Sequence, residues 1–101
     1  GGPPLEVLAH VDPDLAVARA QSAYTRGLIY ASRQDWPEAA EQFRRAIAID
    51  PQFPEAYNNL GATLQHMGDL AGARTAYEKA VAINPAFMLA RKHLDQLKAG
   101  P

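Results

Sequence analysis

The chain has 101 residues, of which 48% are hydrophobic and 21% charged, the composition of one ordinary globular domain rather than of a disordered segment. Ten Lys and Arg residues against eleven Asp and Glu give a formal net charge of -1, which excludes a strongly basic nucleic-acid-binding surface. Cysteine is absent, so disulfides, thiolate metal ligands and cysteine nucleophiles are excluded. No apolar run reaches about 18 residues, and we expect no membrane insertion.

Residues 1–13 are interpreted as a linker or a short capping segment. They begin Gly1-Gly2-Pro3-Pro4, without the basic and apolar regions of a signal peptide. This start favours a cytoplasmic location and leaves a longer parent protein open. Residues 5–11 are largely apolar, and two interpretations of them stay open: they fold back as a cap, or they pair with a second copy of the chain.

Helix signals fill the rest of the chain. Pro13 and Asp14 open the first helix, and Asp35 is the expected N-cap of the second. Gly68 and the Asp-Pro and Asn-Pro pairs mark helix ends. No segment alternates with a period of two residues, so we expect no strand. The predicted helices run from about 14 to 33, 37 to 49, 54 to 68, 69 to 84 and 87 to 98.

A repeat of 34 residues organises this pattern. When residues 20–53 are laid on residues 54–87, eight positions are identical, with a Gly early in each copy and a Pro near its end. A fixed period of this length indicates a repeat architecture. The identical pairs are Gly27 and Gly61, Asp35 and Asp69, Ala39 and Ala73, Ala46 and Ala80, Ala48 and Ala82, Ile49 and Ile83, Pro51 and Pro85, and Phe53 and Phe87.

This repeat resembles the tetratricopeptide repeat (TPR), a helix–turn–helix unit of 34 residues. The resemblance rests on Gly27, Ala39, Phe43, Ala46, Pro51, Tyr57, Leu60, Gly61, Leu64, Ala73, Tyr77, Ala80 and Pro85. It implies an all-α fold, an α-α superhelix (solenoid) of antiparallel helix pairs with two TPR repeats and a C-terminal capping helix. The implied segments are 1–13 (linker or cap), 14–53 (first repeat, with an extended first helix), 54–87 (second repeat) and 88–101 (capping helix and tail). The first repeat departs from the family pattern at Ala23, Arg26 and Gln34.

Small residues at the repeat positions predict closely packed helices. Gly27 and Gly61 have no side chain, so a partner helix can lie against their backbone, and Phe43 and Tyr77 help to fill the remaining volume. Trp36 is interpreted as a packing anchor at the turn between two helices. In the last helix the residues expected to point inward are Leu89, Ala90, Leu94 and Leu97.

The resemblance implies a concave groove lined by the first helix of each pair, where a peptide or helix of a partner protein would lie. Asn58 and Asn59 are the most suggestive positions, because an Asn amide can bond both the N–H and the C=O of an extended peptide. Tyr24 and Leu28 would add apolar contacts. The candidate groove residues are Tyr24, Leu28, Asn58, Asn59, Ala62, Gln65, His66, Lys92 and His93, with Gln96 beside them.

One subclass of the family is not matched. Repeats that bind the acidic tails of heat-shock chaperones use Lys and Asn on the first helix, Asn on the second, and Lys and Arg on the third. Asn59 falls at the middle Asn, but Tyr24, Leu28, Leu89 and His93 stand at the other positions. We therefore predict that the chain does not bind such tails.

Enzymatic chemistry has little support. His10, His66 and His93 lie far apart in sequence without metal-ligand spacing, and the chain contains no phosphate-binding loop motif. We therefore assign no catalytic residue, metal or cofactor and predict a protein-interaction scaffold rather than an enzyme. The alternative is an accessory or self-associating domain cut from a longer protein, with any catalytic part elsewhere; a homo-oligomer stays open.

Overall fold

The computed structural model describes residues 12–99, and within this range it contains five helices and no strand. The predicted all-α class is confirmed. Residues 1–11 and 100–101 lie outside the described residues, and with them the linker-or-cap interpretation and the pairing of residues 5–11. The helices are α1 (Pro13–Ser32), α2 (Trp36–Ile49), α3 (Pro54–His66), α4 (Leu70–Ile83) and α5 (Met88–Ala99).

Side-chain hydrogen bonds cap the starts of α1 and α4, whereas the predicted N-cap residue of α2 is in place without such a bond. Asp69 accepts a hydrogen bond from the backbone N–H of Gly72 at 2.9 Å, which fixes the first turn of α4. Asp35 precedes α2 as expected, but its side chain makes no capping hydrogen bond. Because Pro37 follows in the first turn and has no N–H, one of the two donors that a capping side chain uses is missing there. The cap of α1 is the side chain of Asp12, which accepts from the backbone N–H two residues later.

The helices form two antiparallel pairs, α1 with α2 and α3 with α4, and α5 packs on α4. At the centre of each pair an aromatic ring of the second helix lies on a glycine of the first. A Cβ atom added to Gly27 would come within 2.5 Å of the Phe43 ring, and one added to Gly61 within 2.7 Å of the Tyr77 ring. The predicted close approach at these two glycines is confirmed, because no side chain fits there.

Alanines with no exposed surface form much of the core. Ala39, Ala46, Ala73 and Ala80 on the second helices are each 0% exposed, so the paired helices approach closely along their whole length. The largest fully buried side chains are Phe43 and Tyr77, with Thr63. α5 continues the register, since Ala90 and Leu94 are buried like Ala56 and Leu60 in α3.

Tyr24 fills the space left where the first repeat departs from the family pattern. Ala23 is buried but small, and Arg26 is exposed. The Tyr24 ring lies between them in sequence and contacts two other rings, with centroids 5.8 Å from Phe43 and 4.9 Å from Phe53. It thereby joins two buried apolar clusters.

Leu89 and Gln34 differ from what the sequence pattern predicts. Leu89 was expected to point inward, but it is 50% exposed, because α5 turns the Ala90 and Leu94 side of its surface toward α4 and Leu89 lies off that side. Gln34 occupies the turn position that Gly68 holds in the second repeat. Both residues have positive φ, 61° for Gln34 and 86° for Gly68.

Candidate binding groove

Side-chain hydrogen bonds join α1 to α3 and α3 to α5. The Asn59 amide on α3 donates to the Tyr24 hydroxyl on α1 at 2.8 Å. The Asn58 amide oxygen on α3 lies 3.0 Å from Nδ1 of His93 on α5. Tyr24 and Asn58 are one repeat of 34 residues apart, as are Asn59 and His93, so the same two positions are bonded at both junctions. These bonds set α1, α3 and α5 side by side.

Asn58 is not the exposed amide expected of a groove residue. Its side chain is 3% exposed, and its oxygen is occupied by His93. Asn59 is half-buried and donates to Tyr24. Both amides therefore connect helices within the protein.

A polar cavity of about 390 Å³ opens between α3 and α5, with α4 beneath it. Tyr77 forms its buried base, and the Tyr77 hydroxyl donates to Oε1 of Gln65 at 2.9 Å. Burial raises the pKa of Tyr77 to about 12, so this hydroxyl stays protonated and remains a donor at neutral pH. We call this the α3–α5 cavity; it is lined by Ala62, Gln65, His66, Tyr77, His93 and Gln96.

His93 contributes an acceptor to this cavity. An amide oxygen can only accept, so the contact with Asn58 requires the proton to be on Nδ1 of His93. Burial, with a smaller effect of the neighbouring Lys92 ammonium, lowers the pKa of His93 below its ordinary value. The lowered pKa favours the neutral ring, in which Nε2 carries a lone pair. The His93 ring also lies 5.1 Å from the Tyr77 ring, centroid to centroid.

His66 at the rim of the cavity is held by a ring stack. Its imidazole lies parallel to the Trp36 indole, with centroids 4.1 Å apart and planes 3° apart. Trp36 begins α2 and His66 ends α3, so the stack joins the turn regions of successive repeats. Trp36 is thus a packing anchor, and the residue it anchors belongs to the other repeat.

The structure brings four of the nine predicted groove residues into one cavity: Ala62, Gln65, His66 and His93. Leu28 is 41% exposed on α1 and does not line this cavity. Lys92 does not line this cavity; it lines an adjoining depression with Met88 and Asp95, which shares Gln96 with the cavity. The sequence pattern places Tyr77 only in the core. Its hydroxyl, which Phe43 at the equivalent position lacks, is the feature of the sequence that could have indicated a place in the cavity.

Between residues 12 and 99, no three His, Asp or Glu side chains are grouped closely enough to hold a metal ion. None of the helices in that range is both long and apolar enough to cross a membrane.

Two family models match this chain. The first, described as "TPR repeat", covers residues 27–68, and the second, described as "Tetratricopeptide repeat", covers residues 54–87. A relative from Pseudomonas putida, "Probable biofilm formation methyltransferase WspC", is 43% identical over 61 residues. That match covers 60% of this chain and 14% of the relative, so it spans a small part of that protein.

Solved structures share the fold. The first TPR of Spaghetti (RPAP3), bound to the HSP90 peptide SRMEEVD, superposes with a TM-score of 0.80 at 21% identity. The superposition covers 89% of this chain and 68% of that one. MamA superposes with a TM-score of 0.77 at 28% identity, over 81% of this chain and 47% of that one. Together with the five helices, these similarities confirm the predicted solenoid of antiparallel helix pairs.

Proposed function

This chain belongs to the tetratricopeptide repeat family, and on that premise we propose that it is a protein-interaction module that holds a peptide or helix of a partner protein along α1, α3 and α5. The observation that carries the proposal is the α3–α5 cavity. Its wall holds polar side chains whose hydrogen-bonding groups are only partly used within the protein. A partner chain that crosses α3 and α5 would meet these groups first.

The test compares partner capture by variants of the cavity and of the opposite face. His66→Ala/Gln96→Ala removes two exposed side chains from the cavity wall. Glu78→Ala/Lys79→Ala removes two exposed side chains from α4, outside that wall. We expect proteins retained by the wild type and by the α4 variant to be lost from the cavity variant. Each captured partner is then purified and titrated calorimetrically against all three proteins.

Equal affinity of a purified partner for all three proteins would contradict the proposal. It would place the binding site outside the cavity. Circular dichroism of each variant checks the fold. Gln96, Glu78 and Lys79 are exposed, whereas His66→Ala also removes the stack on Trp36, so Gln96→Ala alone is titrated as well.

We further propose that the module does not bind acidic chaperone tails. Only Asn59 matches the five positions used for such tails, and its amide already donates to Tyr24. No Lys or Arg lines the α3–α5 cavity, so a carboxylate there would lack a cationic partner. Titration of the chain with the peptide SRMEEVD should show no binding at micromolar concentration. Micromolar binding of this peptide would contradict the proposal, and loss of that binding in Asn59→Ala would place it at the groove.

A second candidate function is that of an accessory domain in a longer enzyme. WspC, a protein named as a methyltransferase, matches this chain over only 14% of its own length, which favours this candidate. We propose that the repeats themselves carry no catalysis in either case. The test is to read the whole open reading frame and, where it encodes a methyltransferase domain, to assay methyl transfer with and without residues 12–99. Complete loss of transfer to every acceptor would contradict an accessory role.

Self-association and location are separate parts of the proposal. Exposed apolar residues at both ends of the array, among them Leu15 and Met88, are available to a second copy. Light scattering that gives only an 11.0 kDa species at high concentration would contradict self-association. A cytoplasmic location is tested by cell fractionation of the full-length protein.

A further inference from the structure

We infer that the α3–α5 cavity recognises the uncharged carboxamide of a partner Asn or Gln side chain in preference to a carboxylate. This inference rests on the proposed function and specifies the partner chemistry at one position. It follows from three properties of the cavity wall: a donor, an acceptor and the lack of a cation.

The donor is the amide nitrogen of Gln65. Its Oε1 accepts from the Tyr77 hydroxyl at 2.9 Å, which fixes the orientation of the amide. The two N–H groups of Gln65 are then left for a ligand. Tyr77 is fully buried, so this hydrogen bond ties the amide of the exposed Gln65 to the core.

The acceptor is Nε2 of His93. Nδ1 carries the ring proton because it donates to the Asn58 oxygen, so Nε2 presents a lone pair in the neutral ring. A carboxamide offers an N–H₂ donor to this lone pair and a C=O acceptor to Gln65. A carboxylate offers only oxygen atoms, which would face the His93 lone pair without a proton between them.

The cavity also lacks the positive charge that a carboxylate needs. The side chains that line it are Ala62, Gln65, His66, Tyr77, His93 and Gln96, none of them Lys or Arg. Arg91 and Lys92 line an adjoining depression of α5, which shares Gln96 with the cavity. A carboxylate in the α3–α5 cavity would therefore find no Lys or Arg among the residues that line it.

The repeat fold does not require these polar groups. At the preceding junction, one repeat earlier, the positions of Gln65, Tyr77 and Gln96 are held by Ala31, Phe43 and Ala62. That junction packs without a comparable polar set, so packing alone does not explain the Gln and Tyr residues.

The experiment titrates the ¹⁵N-labelled chain with two matched peptides, acetyl-Ala-Ala-Gln-Ala-Ala-amide and acetyl-Ala-Ala-Glu-Ala-Ala-amide, at pH 7.5. The side-chain amide signals of Gln65 and Gln96 report on the cavity. We expect saturable shifts with the Gln peptide and an affinity at least about tenfold lower for the Glu peptide, as for one unsatisfied polar contact. Gln96→Ala should weaken binding of the Gln peptide, whereas Lys79→Ala on α4, outside the cavity wall, should not.

A second variant tests the fixed donor. Tyr77→Phe keeps the buried ring but releases Oε1 of Gln65, so we expect the preference for Gln over Glu to fall by several-fold. Equal or tighter binding of the Glu peptide to the wild type would overturn the inference. So would the absence of saturable shifts with either peptide up to about 20 mM, well above the millimolar range of a single weak contact.

The experiments distinguish a wrong carboxamide preference from a wrong partner-binding site. If a purified partner loses affinity for His66→Ala/Gln96→Ala but neither pentapeptide shifts the cavity signals, the groove is the binding site and the carboxamide preference is wrong. If the Gln peptide binds while that partner is unaffected, the preference stands and the proposed partner site is wrong.

Discussion

Gln34 and Gly68 occupy the same turn position in the two repeats, and both have the positive φ that favours glycine. A residue with a Cβ is strained in this region by about 1–2 kcal/mol, whereas glycine costs about 0.4–1 kcal/mol through the unfolded chain. Gln34→Gly should therefore raise the free energy of unfolding by about 0.5–1 kcal/mol. Urea denaturation of the wild type and the variant measures this difference.

Gly68→Ala is the matched control for that prediction. A Cβ at Gly68 would meet no atom within 4 Å, so any loss of stability comes from the backbone alone. We expect a loss of about 1 kcal/mol, opposite in sign to the change at Gln34. A destabilised Gln34→Gly variant would show that the Gln34 side chain contributes more than its strain costs.

At the scale of single residues, the sequence predicts packing well and hydrogen bonding poorly. Gly27 and Gly61 indicated the close helix approach, because volume at a repeat position is visible in the sequence itself. The burial of Asn58 was not predictable, since it depends on a partner in the next repeat. Whether an amide faces solvent or a neighbouring helix is decided by that partner, His93.

At the scale of helices, the hydrogen bonds between successive first helices should contribute measurable stability. Tyr24→Phe removes the acceptor of the Asn59 amide, which is half-buried, while the apolar contacts of the ring with Phe43 and Phe53 remain. We expect a loss of about 0.5–1.5 kcal/mol in the free energy of unfolding, measured by urea denaturation.

Tyr30→Phe is the control, because Tyr30 is a half-buried tyrosine on the same helix and its hydroxyl makes no hydrogen bond to the residues described. An equal loss in both variants would show that the Asn59 contact contributes nothing of its own.

The junction between α3 and α5 should make stability depend on pH. His93 has a lowered pKa in the folded chain, so below its ordinary value of 6.5 the unfolded chain binds more protons than the folded one. The free energy of unfolding should then be highest above pH 6.5 and fall as the pH drops below it. The groups around the ring are His66 from α3, Tyr77 from α4 and Lys92 on α5 itself.

His93→Asn is the variant that isolates this effect. Asn stands at the equivalent position one repeat earlier, Asn59, and can still donate to the Asn58 oxygen. Urea denaturation between pH 7.5 and 5.5 should show a smaller slope for His93→Asn than for the wild type, with His66 present in both. The same slope in both proteins would assign the pH dependence to other groups.

Helix positions were largely predictable from the sequence, for a local reason. Pro, Gly and Asx residues determine helix ends through backbone chemistry, so the predicted stretch of 37–49 differs from α2 by one residue at its start. The side of α5 that packs was harder to predict. The hydrophobic residues Leu89 and Leu94 look alike in the sequence, and only the direction of α5 on α4 separates the exposed residue from the buried one.

At the scale of the whole molecule, each helix packs mainly on its neighbours in sequence. Such an array is nearly one-dimensional, and its stability is a sum of repeat terms and interface terms. The periodicity of the sequence predicts this property directly. It does not predict the α3–α5 cavity, which depends on Gln65, Tyr77 and Gln96 breaking the repeat.

A destabilising substitution in one helix of this array should therefore affect that helix and its neighbours most. Leu94→Ala removes a buried side chain between α5 and α4 and should lower the free energy of unfolding by about 2–4 kcal/mol. Leu89→Ala, on the exposed side of the same helix, should change it by less than about 0.5 kcal/mol. In native-state hydrogen exchange, Leu94→Ala should accelerate the amides of α5 strongly, those of α4 less, and those of α1 and α2 least. Uniform acceleration in all five helices would instead show a single cooperative unit, in which α5 is as much a part of the core as the two helix pairs.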